Sequence, residues 1–185
     1  MKDIILFGAP GCGKGTQAEL LLEKLEDQLS HISTGDVFRA LVSQPNPIGR
    51  YVKDRMESGK LIDDQVTMSL FNAYFFTVLD ESKYMLLDGY PRSVVQMEGL
   101  EKLAKEYDRS VIGIYFEVNE EETIKRISSR GRTGETEEVI RTRMEEYYTH
   151  THPIVDAFAQ RGELIKIDAN RSIEAIHTDV MKAAQ

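Results

Sequence analysis

The apolar run Ile4-Ile5-Leu6-Phe7 leads directly into Gly8-Ala9-Pro10-Gly11-Cys12-Gly13-Lys14-Gly15-Thr16, and a pattern of helical period follows. Strand, glycine-rich turn and helix in that order predict a phosphate-binding loop, or P-loop. The glycines let the backbone curl until its N–H groups converge at the positive end of the helix, and Lys14 adds a point charge for the outer phosphates. Nucleotide binding is the first expectation, with Gly11, Cys12, Gly13, Lys14, Gly15 and Thr16 forming the cradle. Gly15 follows the lysine where many P-loops have a hydroxyl, so a magnesium ion needs other holders.

Size and charge narrow the setting. A chain of 185 residues with 41% hydrophobic content can bury one good core, so a single domain with small insertions is expected. It has no apolar run long enough to span a bilayer, and its start shows no cleavable signal pattern, so a soluble cytoplasmic protein is expected. Cys12 is the one cysteine, which excludes an internal disulfide and a cysteine-cluster zinc site; its place in the loop suggests a small space-filling side chain. The histidines at 31, 150, 152 and 177 share no spacing with other metal ligands and read as surface or boundary residues. A net charge of −8 argues against nucleic acid as a partner. Yet Lys125, Arg126, Arg130, Arg132, Arg141 and Arg143 face only Glu135, Glu137 and Glu138 between positions 125 and 143. An acidic chain that gathers arginine in one stretch is built to grip a small anion.

Short apolar runs alternate with helical patterns from end to end. Residues 3–8, 29–33, 84–88, 111–117 and 164–168 read as buried strands, which predicts an α/β, three-layer fold on a five-stranded parallel sheet. Ala18, Leu21, Leu22 and Leu25 share one helical face, as do Met97, Leu100, Leu103 and Ala104. Asn119 ahead of three glutamates predicts a helix N-cap and a helix to about Ser129. Glu137-Glu138 open a long helix, and Pro47 suits the first turn of a helix over 48–58.

Further blocks follow in order: Ser33-Thr34-Gly35-Asp36 with Arg39; Gly59-Lys60-Leu61-Ile62; Leu87-Asp88-Gly89-Tyr90-Pro91-Arg92 with Gln96; and Arg126, Arg130, Arg132 and Arg143. With the GxPGxGKGT form of the P-loop, they resemble the adenylate kinases among the nucleoside monophosphate kinases, over nearly the whole chain from about 3 to 168. The resemblance implies a core over 1–33, 64–129 and 137–185, a helical insertion for the nucleoside monophosphate at about 34–63, and a very short lid at about 130–136. It implies that Thr34, Gly35, Arg39, Met56, Ile62, Gly89, Arg92, Gln96, Arg132 and Arg143 surround AMP, and that Arg126, Arg130 and Arg171 join the P-loop on ATP. Lys14, Arg92, Arg126, Arg132 and Arg143 are then the catalytic set.

The residues carry that chemistry in their own right. Asp88 ends a buried strand, where open α/β sheets bind ligands, and with Asp36 it suits a magnesium held through water. Arg92, just after the turn, can clamp a phosphate in two places. By the resemblance Gln96 meets the adenine, whose edge its amide donors and acceptor suit, whereas the related pyrimidine kinases usually have asparagine in that stretch and alanine in place of Thr34. No general base is needed when the acceptor is an ionised phosphate, so positioning and charge carry the reaction.

Two departures from the family stand out. A single Gly131 separates Arg130 from Arg132, with Thr133-Gly134-Glu135 where paired aspartates are common, and Asp168-Ala169-Asn170-Arg171 replaces a stretch that often holds a glycine near the ATP base. The reading is a monomeric kinase using Mg2+ without zinc, whose partners are ATP, AMP and ADP, with no nucleic acid and no membrane. Its alternatives are a UMP/CMP kinase and a nucleotide-dependent switch protein that transfers no phosphate.

Overall fold

The computed structural model describes residues 2–129 and 136–185. Arg130, Gly131, Arg132, Thr133, Gly134 and Glu135, and with them nearly all of the expected lid, lie outside the described residues. Five strands, β1 (Asp3–Phe7), β2 (Leu29–Ser33), β3 (Tyr84–Asp88), β4 (Val111–Glu117) and β5 (Leu164–Asp168), form a sheet in the order β2-β3-β1-β4-β5. Every pairing is parallel, with Leu6 opposite Asp88 on one side of β1 and Ile114 on the other. The strand spans follow the apolar runs, β1 ending one residue short of the expected Gly8.

A parallel sheet needs cover on both faces, and alternation along β1 shows how it is supplied. Ile4 and Leu6 pack with Leu86, Ile114 and Phe116 against α1 (Lys14–Leu25) and α9 (Ile173–Ala183). Ile5 and Phe7 pack with Leu87 against Phe71 and Phe75 of α4 (Asp64–Val78), Met97 and Leu100 of α5 (Val94–Glu106), and Ile154 and Phe158 of α8 (His152–Gln160). Between β2 and α4, α2 (Thr34–Val42) and α3 (Pro47–Glu57) enclose a small core of their own around Phe38, Val52 and Ile62. Asn46 caps α3 by accepting from Gly49 N, ahead of Pro47 in the first turn. Asn119 caps α6 (Glu120–Ser129) through a bond from Glu122 N, as its spacing predicts.

The helix expected to run on from Glu137 is not regular. It begins as α7 (Glu137–Glu146), widens into a π-helical turn over Tyr147–Thr151, and continues as α8. Pro153 has no N–H for an i−4 carbonyl, and His152 N bonds back to Tyr147 O, five residues earlier, so the ladder changes step there.

The chain places β2 and β3 on one side of β1 and β4 and β5 on the other, so a crevice opens at the carboxyl ends of β1 and β3. The opposite end of the sheet is tied by Asp3, whose carboxylate accepts two bonds of 2.6 Å from Arg109 and one of 2.8 Å from Met85 N. No helix among the described residues is long and apolar enough to cross a membrane.

Candidate active site

At the end of β1 the chain turns through Gly13, whose φ of 101° lies in the left-handed region, and enters α1 at Lys14. Nothing lies within 4 Å of a Cβ built there, so the demand for glycine is conformational, not steric. Cys12 is buried beneath the loop, with Sγ 3.4 Å from Lys14 Nζ, which makes it a filler of the loop's underside. Lys14 donates to Gly8 O at 2.6 Å and Ala9 O at 3.1 Å, and so holds its ammonium within the curl of the loop. Arg126 reaches the same loop from α6, 3.5 Å from Cys12 O, while its Nε donates to Glu122 at 2.8 Å.

Across the crevice the β3–α5 turn builds the facing wall. Arg92 Nε and Thr34 Oγ1 both donate to Gly89 O, at 2.8 and 2.7 Å. A Cβ on Gly89 would come within 2.8 Å of Thr34 Oγ1 and 2.9 Å of Arg92, so only glycine lets these side chains meet there. Burial lowers the pKa of Arg92; Asp88 opposes that, and the positive charges of Arg143 and Arg39 add to it. Three guanidinium groups thus feel one another across this wall, as in a site shaped for an anion.

P-loop and facing wall enclose one cleft of about 710 Å³, a volume suited to small-molecule ligands. Of the residues named from sequence, Gly11, Gly13, Lys14, Gly15 and Thr16 line it on one side. Gly35, Asp36, Arg39, Met56 and Ile62 line it from the insertion, and Asp88, Gly89, Arg92, Gln96 and Arg143 from the core. Thr34 is a buried residue of the wall; the capping role belongs to Ser33, which accepts from Asp36 N. Arg171 stands apart from this cleft, donating to Asp168 O and to Asp179 at 2.7 Å. Arg130 and Arg132 lie outside the described residues.

Asp88 faces the same space as Lys14 and Thr16, and its hard oxygens fit a magnesium ion that keeps most of its water. Asp36 is paired with Arg39, which also holds its pKa low: desolvation raises it, and the bonds from Arg39 and Ser33 outweigh that. Among the described residues no group of three or more His, Cys, Asp or Glu side chains is placed to hold a metal directly.

Several contributors carried no signal in the sequence. Thr151, in the π-helical turn, donates to Arg92 O at 3.0 Å. Glu146 accepts from Leu61 N at 3.4 Å, beside the bond of 3.5 Å that the sequence-named Arg143 donates to Met56 O, so α7 touches the end of α3 and the turn after it. Asp64 binds Ser93 and Gln96. Each is a meeting of segments remote in sequence, and no local pattern announces it.

Comparison with known proteins agrees with this geometry. Residues 6–163 match the adenylate kinase family model. An adenylate kinase of Corynebacterium urealyticum is 39% identical over 174 residues, 94% of this chain and 93% of the relative. One from Synechococcus sp. (strain WH7803) is 40% identical over 180 residues, 96% of each chain, and one from Prochlorococcus marinus (strain MIT 9303) is 38% identical over 99% of each. With a P-loop facing an arginine-lined wall across one cleft, and with relatives matched over nearly their whole length, the chain belongs to the adenylate kinase family of nucleoside monophosphate kinases.

Proposed function

We propose that the protein transfers the terminal phosphoryl group of magnesium-bound ATP reversibly to AMP, giving two ADP, with the residue roles that follow. The P-loop amides, Lys14 and Arg126 hold ATP, and Arg39 and Arg92 hold the acceptor phosphate. Gln96 and Thr34 stand on the base side of the acceptor, and Arg143, with Arg132 from the lid, meets the phosphoryl group in transfer. The observation that carries this reading is that Arg39, Arg92 and Arg143 line the same cleft as Lys14.

Transfer between two phosphates needs no base to take a proton, so these residues position the reactants and stabilise spread negative charge. Magnesium, when bound, neutralises part of the donor's phosphate charge; Asp88 and Asp36 would hold it through water. The insertion over about 34–63, with its own core, closes on the acceptor, and the short lid over about 130–136 excludes water from the donor. Such an enzyme, with a net charge of −8 that disfavours nucleic acid as a partner, works as a cytoplasmic monomer on small nucleotides.

An acceptor panel tests the reading. With MgATP and coupled detection of ADP, the specificity constant for AMP should exceed those for CMP and UMP by at least about a hundredfold, because a site paired to adenine leaves buried polar groups unmatched by a pyrimidine. Equal or higher values for CMP or UMP would make the protein a pyrimidine nucleotide kinase, and absence of ADP with every acceptor would make it a binding protein.

A further inference from the structure

We infer that Asp64 is a specificity-determining positioning residue: it locks the Gln96 amide in the one orientation that accepts AMP and rejects a 6-oxopurine nucleotide. The inference rests on the assignment of Gln96 to the acceptor base.

Gln96 is the third residue of α5 and only 1% exposed, yet it lines the cleft. Its Oε1 accepts from Arg92 N at 2.8 Å, and its Nε2 donates to Asp64 Oδ1 at 2.7 Å. The partners leave no choice of orientation, since a backbone N–H only donates and a carboxylate only accepts. Ser93 Oγ, which accepts from Gln96 N at 3.2 Å, also donates to Asp64 Oδ1 at 2.7 Å and fixes the carboxylate in turn. Rotating the amide by half a turn would set N–H against N–H and oxygen against carboxylate in a buried place.

Each end of the amide keeps a second hydrogen-bonding capacity: a lone pair on Oε1 and an N–H on Nε2. A locked amide therefore offers the cleft a fixed acceptor–donor pair. Adenine presents the complement, an N6–H donor beside a ring-nitrogen acceptor. Hypoxanthine presents the reverse, a carbonyl acceptor beside an N1–H donor, and only a flipped amide could satisfy it. A free glutamine would flip to suit either base; Asp64 removes that freedom. Asp64 opens α4, and no sequence pattern links it to Gln96 on the next helix, α5, beyond β3.

The test is the ratio of kcat/KM for AMP to that for IMP, at saturating MgATP, in the wild type, Asp64→Ala, Asp64→Asn and Gln96→Leu. ATP affinity without acceptor, measured by calorimetry, and thermal midpoints serve as controls. The ratio should fall by about tenfold or more in Asp64→Ala, and less in Asp64→Asn, which keeps the volume but can offer a donor or an acceptor. ATP affinity should stay within about twofold, as the lock acts on the acceptor base alone. If Asp64→Ala does not fold, Asp64→Asn carries the test. An unchanged ratio in the Asp64 variants, with a collapse in Gln96→Leu, would overturn the lock and leave Gln96 as the base reader. An unchanged ratio in Gln96→Leu would overturn both the lock and the role of Gln96, while preference of the wild type for AMP over CMP and UMP would still stand by itself.

Discussion

Lys14 Nζ lies 2.6 Å from the carbonyl oxygen of Gly8, so the P-loop lysine is bonded across its own loop. The same bond that orders the loop holds a cation where phosphate oxygens converge. Lys14→Met keeps the stem and removes the charge. Turnover should drop by about a thousandfold, equivalent to ~4 kcal/mol on the barrier, while the lost bond to a loop carbonyl costs only about 1 kcal/mol of stability. Coupled kinetics and thermal melting on the same sample check both; turnover above a tenth of wild type would refute the role.

Arg92 is set by its own Nε bond to Gly89 O and by the bond that its carbonyl accepts from Thr151. Arg92→Ala should lower kcat/KM for AMP by at least about a hundredfold, or ~2.7 kcal/mol, with ATP affinity in calorimetry nearly unchanged. Arg92→Lys should restore little, because a point charge does not reproduce the guanidinium fork. A large loss of ATP affinity would place Arg92 on the donor side.

At the far end of the sheet, Asp3 is 1% exposed and Arg109 is 11% exposed in their side chains. The bonds that Arg109 donates to the Asp3 carboxylate raise its pKa. Arg109→Met leaves a buried carboxylate without its partner and should cost about 3 to 5 kcal/mol of stability in urea unfolding. Kinetic constants measured where the variant is folded should not change, since the pair sits at the amino ends of the strands and the cleft at the carboxyl ends. A stability loss below about 1 kcal/mol would show that Met85 N alone satisfies Asp3.

His31 on β2 has a buried Nε2 with no hydrogen-bond partner among the described residues. Burial lowers its pKa from 6.5, against the pull of Asp88, Asp36 and Glu19. A base that protonates less readily when folded contributes stability that is full above its unfolded pKa and is lost as pH falls through the lower folded value. Stability should therefore decline below about pH 6.5, and His31→Gln should flatten that decline. Urea midpoints from pH 7.5 to 5 in both proteins test it; identical slopes would remove His31 from the acid response.

What could be read from sequence was local. Five strand spans, the glycine turn into α1 and the Asn119 cap depend on neighbours a few residues apart, where periodicity, φ freedom and capping geometry decide. The P-loop is legible for the same reason: one continuous stretch supplies its amides, its lysine and its helix. What the fold alone decided was which distant residues meet. The strand order, the approach of Arg39, Arg92 and Arg143, the bond from Thr151 to Arg92, and the two bonds that fix Gln96 join segments whose sequences carry no mark of one another. The π-helical turn belongs with them: the pattern from Glu137 reads as one long helix, and only the fold shows the widened turn whose Tyr147 packs with Ala9 and Met144 beside the P-loop. Residue types were thus enough to name the chemistry of the chain. The orientation of a single buried amide, on which the choice of base depends, came from hydrogen-bond partners that only the tertiary structure brings within 3 Å.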